Sequence, residues 1–181
     1  NKNTSHLVKI GMDYYINEKN TLSFYTSQNI VDGSGNGLTV VDYLNAGQRD
    51  SRQLFDTEND NYTQTYDLVY KHNFDKKGET IDFQTNFSNT KGPEYTDYNL
   101  GQINPTSTTL TSNDIDRVTN SLQVNIDYVN PLSETVKLEI GAESRVQRIT
   151  NDFDENINEA SVGYNRDGNS NFEFKRQIHS F

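Results

Sequence analysis

Alternation with a period of two dominates this chain. Residues 6–16 place His6, Val8, Ile10, Met12, Tyr14 and Ile16 at even positions, with Lys9, Gly11 and Asp13 between them. A short polar turn at residues 17–20 leads into Leu22 and Phe24 alternating with Ser23. The unit then repeats. Tyr62, Tyr66, Leu68, Tyr70 and Phe74 share one face, a turn follows at residues 75–79, and Ile81, Phe83, Thr85 and Phe87 answer. A third unit carries Leu122, Val124, Ile126 and Tyr128, a turn at residues 130–134, and Val136, Leu138, Ile140 and Ala142. A last segment, Phe172 to Phe181, begins another strand. Such alternation predicts antiparallel strands with one apolar and one polar face. Helical periodicity is absent. Seven strands result, joined alternately by short turns and by long polar stretches at about residues 29–61, 89–117 and 149–170.

Composition changes the picture at one point. Only 31% of residues are hydrophobic and mean hydropathy is −0.88, which by itself suggests disorder. Yet 11 Tyr and 9 Phe stand against only 3 Pro, an aromatic content that disordered chains lack. The absence of cysteine excludes a disulfide framework and a Cys-based zinc site. With 16 Lys+Arg spread among 26 Asp+Glu, net charge −10, the chain is not suited to nucleic acid. No apolar run approaches the ~20 residues of a membrane helix, but β-barrel strands average out in such a count.

Three features favour a membrane barrel over a soluble sheet. Short turns and long loops lie at opposite ends, as periplasmic turns and extracellular loops do. The apolar face carries no charge at its centre, whereas Lys9, Asp13, Asp67, Lys71, Asp82, Asp127, Lys137, Glu139 and Glu143 make the other face suited to a watered lumen. Tyr14, Tyr70 and Tyr128 each precede a short turn on the apolar face, where an interfacial girdle belongs. Leu7, Val69 and Val129 fall on the lumen face, and an even register in the last strand would turn Arg176 to lipid. An odd count of seven strands cannot close an ordinary single-chain barrel. Residues 1–181 are therefore expected to be part of one larger outer-membrane β-barrel domain, with no plug domain and no signal sequence among them.

The stretches Gly11-Met12-Asp13-Tyr14-Tyr15-Ile16-Asn17-Glu18-Lys19-Asn20-Thr21-Leu22-Ser23 and Asn125-Ile126-Asp127-Tyr128-Val129-Asn130-Pro131-Leu132 resemble the barrel of TonB-dependent outer-membrane receptors, in the form common in Bacteroidota. Tyr70-Lys71-His72-Asn73-Phe74-Asp75 with Gly78 is similar too. The resemblance implies a plugged barrel of about 22 strands in the outer membrane of a Gram-negative bacterium. It also implies import of a bulky nutrient or metal chelate, driven by a TonB-type energy transducer through a plug domain. The partners implied are outer-membrane lipid, the rest of the barrel with its plug, that transducer and a surface lipoprotein. Two alternatives stand beside it: a barrel scaffold in a multiprotein outer-membrane complex, and a soluble β-rich binding module.

Residues 152–159 have the oxygen-rich spacing of a calcium loop, but Ile157 replaces the turn glycine and Gly163 the bidentate glutamate, so a solvated loop is expected. Asp56, Glu58 and Asp60 read the same way. Gly33-Ser34-Gly35-Asn36-Gly37 is not a dinucleotide fingerprint and reads as a flexible loop tip. His6, His72 and His179 lack ligand spacing, and no catalytic triad pattern appears. No enzyme and no cofactor are expected. Tyr43, Phe55, Tyr95 and Tyr98 are aromatics within the long polar stretches and the candidates for ligand contact.

Overall fold

In the computed structural model, residues 1–42, 44, 50–103, 106–159 and 164–181 are described. They form one antiparallel sheet of seven strands in sequence order. The strands are β1 (Lys2–Asn17), β2 (Asn20–Val41), β3 (Ser51–Asn73), β4 (Thr80–Ile103), β5 (Thr106–Pro131), β6 (Lys137–Glu159) and β7 (Tyr164–Ser180). Every pairing is a meander, so each strand meets its sequence neighbours only.

The turns at residues 18–19, 74–79 and 132–136 lie at one end. Each has local reasons to reverse. Gly78 takes φ +81°, which side-chain-bearing residues rarely adopt, while Phe74 N–H donates to the Glu79 carbonyl at 3.0 Å. Ser133 Oγ accepts from the Val136 N–H at 3.1 Å in the β5–β6 turn. The first two turns are tied together: Asn73 N–H donates to the Lys19 carbonyl at 2.8 Å, and the Lys19 ammonium pairs with Asp75.

The register assigns each side chain to a face. Met12, Phe24, Leu68, Thr85 and Val124 are successive cross-strand partners, and so are Ile10, Thr26, Tyr66, Phe87, Leu122 and Val146. This face is apolar near the turns. Its counterpart carries Lys9, Asp13, Asp67, Lys71, Asp82 and Asp127, with Leu7, Val69 and Val129 among them as expected.

Among the described residues no second layer covers either face. Among the described residues no hydrophobic side chain is buried, and Ile10 and Leu68 are 67% and 37% exposed. A soluble sandwich buries its apolar face in a shared core; this sheet leaves it open, so the soluble-module alternative has no core to stand on.

The strands run much further than the alternation predicts. Most of the expected loops at residues 29–61, 89–117 and 149–170 is paired strand. The physical reason is that backbone pairing does not need an apolar face. Where both faces meet water, alternation vanishes from the sequence although the ladder continues. Pro93 shows how β4 tolerates a breaker. The β3–β4 ladder skips from Asn59↔Glu94 to Tyr62↔Lys91 without losing register. The missing N–H therefore leaves a gap in the ladder, not a bulge.

The glycine-rich stretch is corrected as well. Gly33, Gly35 and Gly37 lie in β2, all on the polar face, and are covered by neighbouring side chains. A Cβ on Gly37 would fall 2.5 Å from the Phe55 ring, its cross-strand partner. Gly11 lies under the ring of Tyr25 in the same way, and the Tyr25 hydroxyl then reaches Asp13 at 2.6 Å. Aromatic rings packed over cross-strand glycines replace the missing side-chain contact on this face.

Arg176 is the third correction. Its partner is Gln147, a polar-face residue, so the last strand pairs out of the even register and Arg176 turns away from the apolar face.

Candidate functional site

Apolar side chains run from Tyr66 on β3 to Phe74 at the start of the following turn, and on β6 from Leu138 to Val146. That is roughly 27 Å of strand. A tilt of about 40° projects it to roughly 21 Å, near the ~25 Å apolar band of an outer-membrane barrel. Small hydroxyls, Thr26, Thr85 and Ser144, are the polar interruptions near its middle.

Both margins of the band are built. At the turn margin the Tyr70 hydroxyl donates to Asn20 Oδ1 at 2.5 Å, and His72 Nδ1 meets the same oxygen at 2.7 Å. Tyr128 donates to Glu79 at 2.5 Å and accepts from Asn130 at 3.0 Å. Phe74 packs edge-on against both His72 and Tyr128. Rings buried in an apolar layer with hydroxyls tied to polar groups suit the headgroup boundary. At the far margin lies a row of amides: Gln28, Gln64, Asn89 and Asn120, continued by Arg148. Tyr62 donates to Gln28 at 2.9 Å, Gln64 to Tyr62 at 2.6 Å, and Asn89 to Asn120 at 2.7 Å.

The band is oblique to the hydrogen-bonded rows. Val8, Ile10 and Met12 on β1 share rows with Lys175, Gln177 and His179 on β7. Strand tilt produces this drift, because a row perpendicular to tilted strands climbs relative to the membrane plane.

Beyond the amide row the outward face becomes acidic. Asp32 lies opposite Asp60, Asp56 opposite Asp97, Asp114 opposite Asp154, and Asp116 opposite Asp152. Residues 152–159 are strand, which deals their carboxylates alternately to two faces; they do not form a calcium loop. Among the described residues no group of His, Asp and Glu is gathered to hold a metal.

A groove of about 840 Å³ lies in this outer part of the sheet. Leu38, Leu54, Asn99 and Leu110 form one row along it, and Asn36, Asp56, Asp97 and Ser112 the next. Phe55, Tyr95 and Tyr98 all line it, so three of the four aromatic candidates come together; Tyr43 lies outside the described residues. They differ in orientation. Phe55 and Tyr98 are partners on the polar face, whereas Tyr95 pairs with Glu58 on the outward face. Tyr95 Oη and Ser112 Oγ donate to Asp97 Oδ1 at 2.8 and 2.7 Å, leaving an acceptor-rich rim over the leucines. The leucines were not among the sequence candidates. Only the strand register brings Leu38, Leu54 and Leu110 into line, and isolated leucines in polar stretches carry no local signal of it.

A single-layer antiparallel sheet with an outward apolar band, interfacial margins and a watered inner face is the wall of a membrane-spanning β-barrel. The model of the outer membrane protein beta-barrel family matches residues 72–181, more than half of the chain. The chain belongs to that family and to the outer membrane. No curated protein sequence matches it. Among solved structures it is similar to the unliganded ferric citrate transporter FecA, with 8% identity and TM-score 0.37 over 98% of this chain and 25% of that one. It is also similar to the ferric yersiniabactin uptake receptor FyuA from Yersinia pestis, with 9% identity and TM-score 0.22 over 97% of this chain and 34% of that one. The chain thus spans about a quarter to a third of these proteins.

Proposed function

We propose that this chain is a barrel-wall segment of a TonB-dependent outer-membrane transporter that imports a bulky nutrient or metal chelate. The observation that carries the reading is the length of paired strand beyond the lipid band. It raises a stiff extracellular wall bearing the groove at Leu54, Tyr95 and Tyr98. A receptor would use such a wall as a rigid scaffold to hold ligand above the membrane.

On this reading residues 1–181 are part of one larger barrel domain. The sheet has two open edges, β1 and β7. Unpaired backbone groups in lipid cost several kcal/mol each, so further strands complete it. A plug in the lumen and a TonB-type transducer supply the energy coupling, and a surface lipoprotein is the partner at the mouth. The role is transport, not catalysis. Tyr95 and Tyr98 are the ligand contacts we favour. Tyr43 is kept as a contact on the same reading, while Phe55 chiefly covers Gly37.

The test is growth of three strains on a panel of media, each with one polysaccharide, peptide or ferric chelate as sole source. The strains are wild type, one lacking the full-length gene and one lacking the energy transducer. Transport predicts that some medium starves both deletion strains alike. Normal growth of the gene deletion on every medium that the transducer deletion cannot use would reject it.

A further inference from the structure

Leu38, Leu54 and Leu110 stand in one row across the outer part of the sheet, with Asn99 between the last two. All three leucines are exposed and line the groove of about 840 Å³. Single exposed leucines are ordinary, whereas three aligned along a groove mark a contact surface. The row lies on the outward face above the lipid band, so it meets solute before the lumen does.

The rows on either side of the leucines carry opposite charge. Towards the membrane, Asp56 lies directly opposite Asp97. On the far side stands Arg52, paired with Val40 and Gly101. Like charges directly opposite one another destabilise a sheet, and a cation between the two aspartates would offset that cost. The Tyr95 and Ser112 hydroxyls hold Asp97 through Oδ1 at 2.8 and 2.7 Å, which turns its carboxylate into a fixed part of the rim. Neither Asp56 nor Arg52 forms an ion pair among the described residues.

Arg52 and Asp56 lie on one face of β3 with a leucine between them. Their separation along the strand is roughly 14 Å. A neutral glycan makes no use of such a charge separation, and an anionic chelate would be repelled by the paired carboxylates. An extended peptide fits it, because at about 3.3–3.6 Å per residue its ammonium and carboxylate match that span when about four residues apart.

We infer that the groove captures a short peptide in extended form. The peptide ammonium sits between Asp56 and Asp97, and its aliphatic side chains lie on Leu38, Leu54 and Leu110. Its carboxylate is met by the Arg52 guanidinium, whose fork binds carboxylates through two parallel hydrogen bonds. The inference narrows the cargo of the transporter reading and rests on that reading only in calling the peptide cargo.

The test is calorimetric titration of the full-length protein in detergent. The probes are the tetrapeptide lysyl-leucyl-leucyl-glycine, its C-terminal amide, maltotetraose and ferric citrate. The free peptide should bind most tightly. Asp56→Asn with Asp97→Asn should weaken it about tenfold, as loss of charge-assisted hydrogen bonds would, without lowering the stability of the barrel. Asp32→Asn with Asp60→Asn removes an equal charge from another facing pair on the same surface and should change affinity less than about twofold. Arg52→Gln should weaken the free peptide to the level of the amide and leave the amide unchanged. Tighter binding of maltotetraose or ferric citrate than of peptide would overturn the inference, and so would equal losses in the two double variants. A dimer seen by light scattering and split by Leu54→Asn would put a second copy of the chain in the groove and overturn it too. Growth on peptide as sole nitrogen source separates the two readings. Peptide binding with normal growth of the gene deletion would keep the groove and count against transport. No peptide binding, with a growth defect on another medium, would reject the groove and keep transport.

Discussion

The turn-side half of the sheet and its outer half share strands, register and hydrogen-bond ladder, yet their sequences look unrelated. Around Leu122, Val124 and Ile126 every second residue is apolar; around Thr108, Leu110 and Ser112 almost nothing is. The difference teaches what alternation reports. It records a difference between the media on the two faces, not the presence of a strand. Lipid on one side and water on the other produce it, and water on both sides erases it.

A charge placed on the outward face should separate the halves most sharply. Leu68→Arg, inside the band, should destabilise the full-length barrel by about 2–4 kcal/mol. Glu58→Lys, on the same face of the same strand but in the outer half, should change stability by less than about 0.5 kcal/mol. Equilibrium unfolding in detergent or vesicles measures both. Equal effects would mean that the apolar face does not meet lipid.

The turn margin gives a smaller effect. Asn20→Ala removes the acceptor shared by the Tyr70 hydroxyl and His72. We expect a loss of about 1 kcal/mol in the same assay, with no such loss for Asn158→Ala in the outer half.

The smallest effect lies outside the membrane, at the Lys19–Asp75 pair between the first two turns. The hydrogen bond from Lys19 and its positive charge hold the Asp75 carboxyl below its usual value. A depressed carboxyl pKa contributes stability above the unfolded value, about pH 3.9, and loses it as pH falls through the folded one. Asp75→Asn should therefore be slightly less stable than wild type at neutral pH, and the two should converge in acid. Convergence at high pH instead would contradict the sign.

The comparison also explains what the sequence could reveal. The turn-side hairpins, their facing and the tyrosine girdle were legible because lipid constrains every second residue there. The outer strands were not. Their residues obey only a pairing rule, and Pro93 and the Gly33 to Gly37 stretch resemble breakers until Tyr62↔Lys91 and Gly37↔Phe55 are seen to pair. Arg176 was misplaced because β7 lies where the tilted band has already descended, so its nearest apolar neighbours are Phe172, Phe174 and Ile178 on the inner face. The groove was half legible. Tyr95 and Tyr98 announced themselves as aromatics in a polar stretch, whereas Leu38, Leu54 and Leu110 became a surface only through register.

The central assignment is that even positions of β5 near the turn face lipid and odd positions face the lumen. The chain contains no cysteine, so, with any cysteine elsewhere in the full-length barrel replaced by serine, single spin-labelled cysteines can be placed at each position from 107 to 128 in vesicles. Collision with oxygen and with a water-soluble nickel chelate reports the medium at each label. Residues 122, 124, 126 and 128 should be accessible to oxygen and shielded from nickel, and 123, 125 and 127 the reverse. From 107 to 115 the alternation should disappear, with nickel reaching both faces. An unbroken alternation through 107–115, or none at 122–128, would contradict the account.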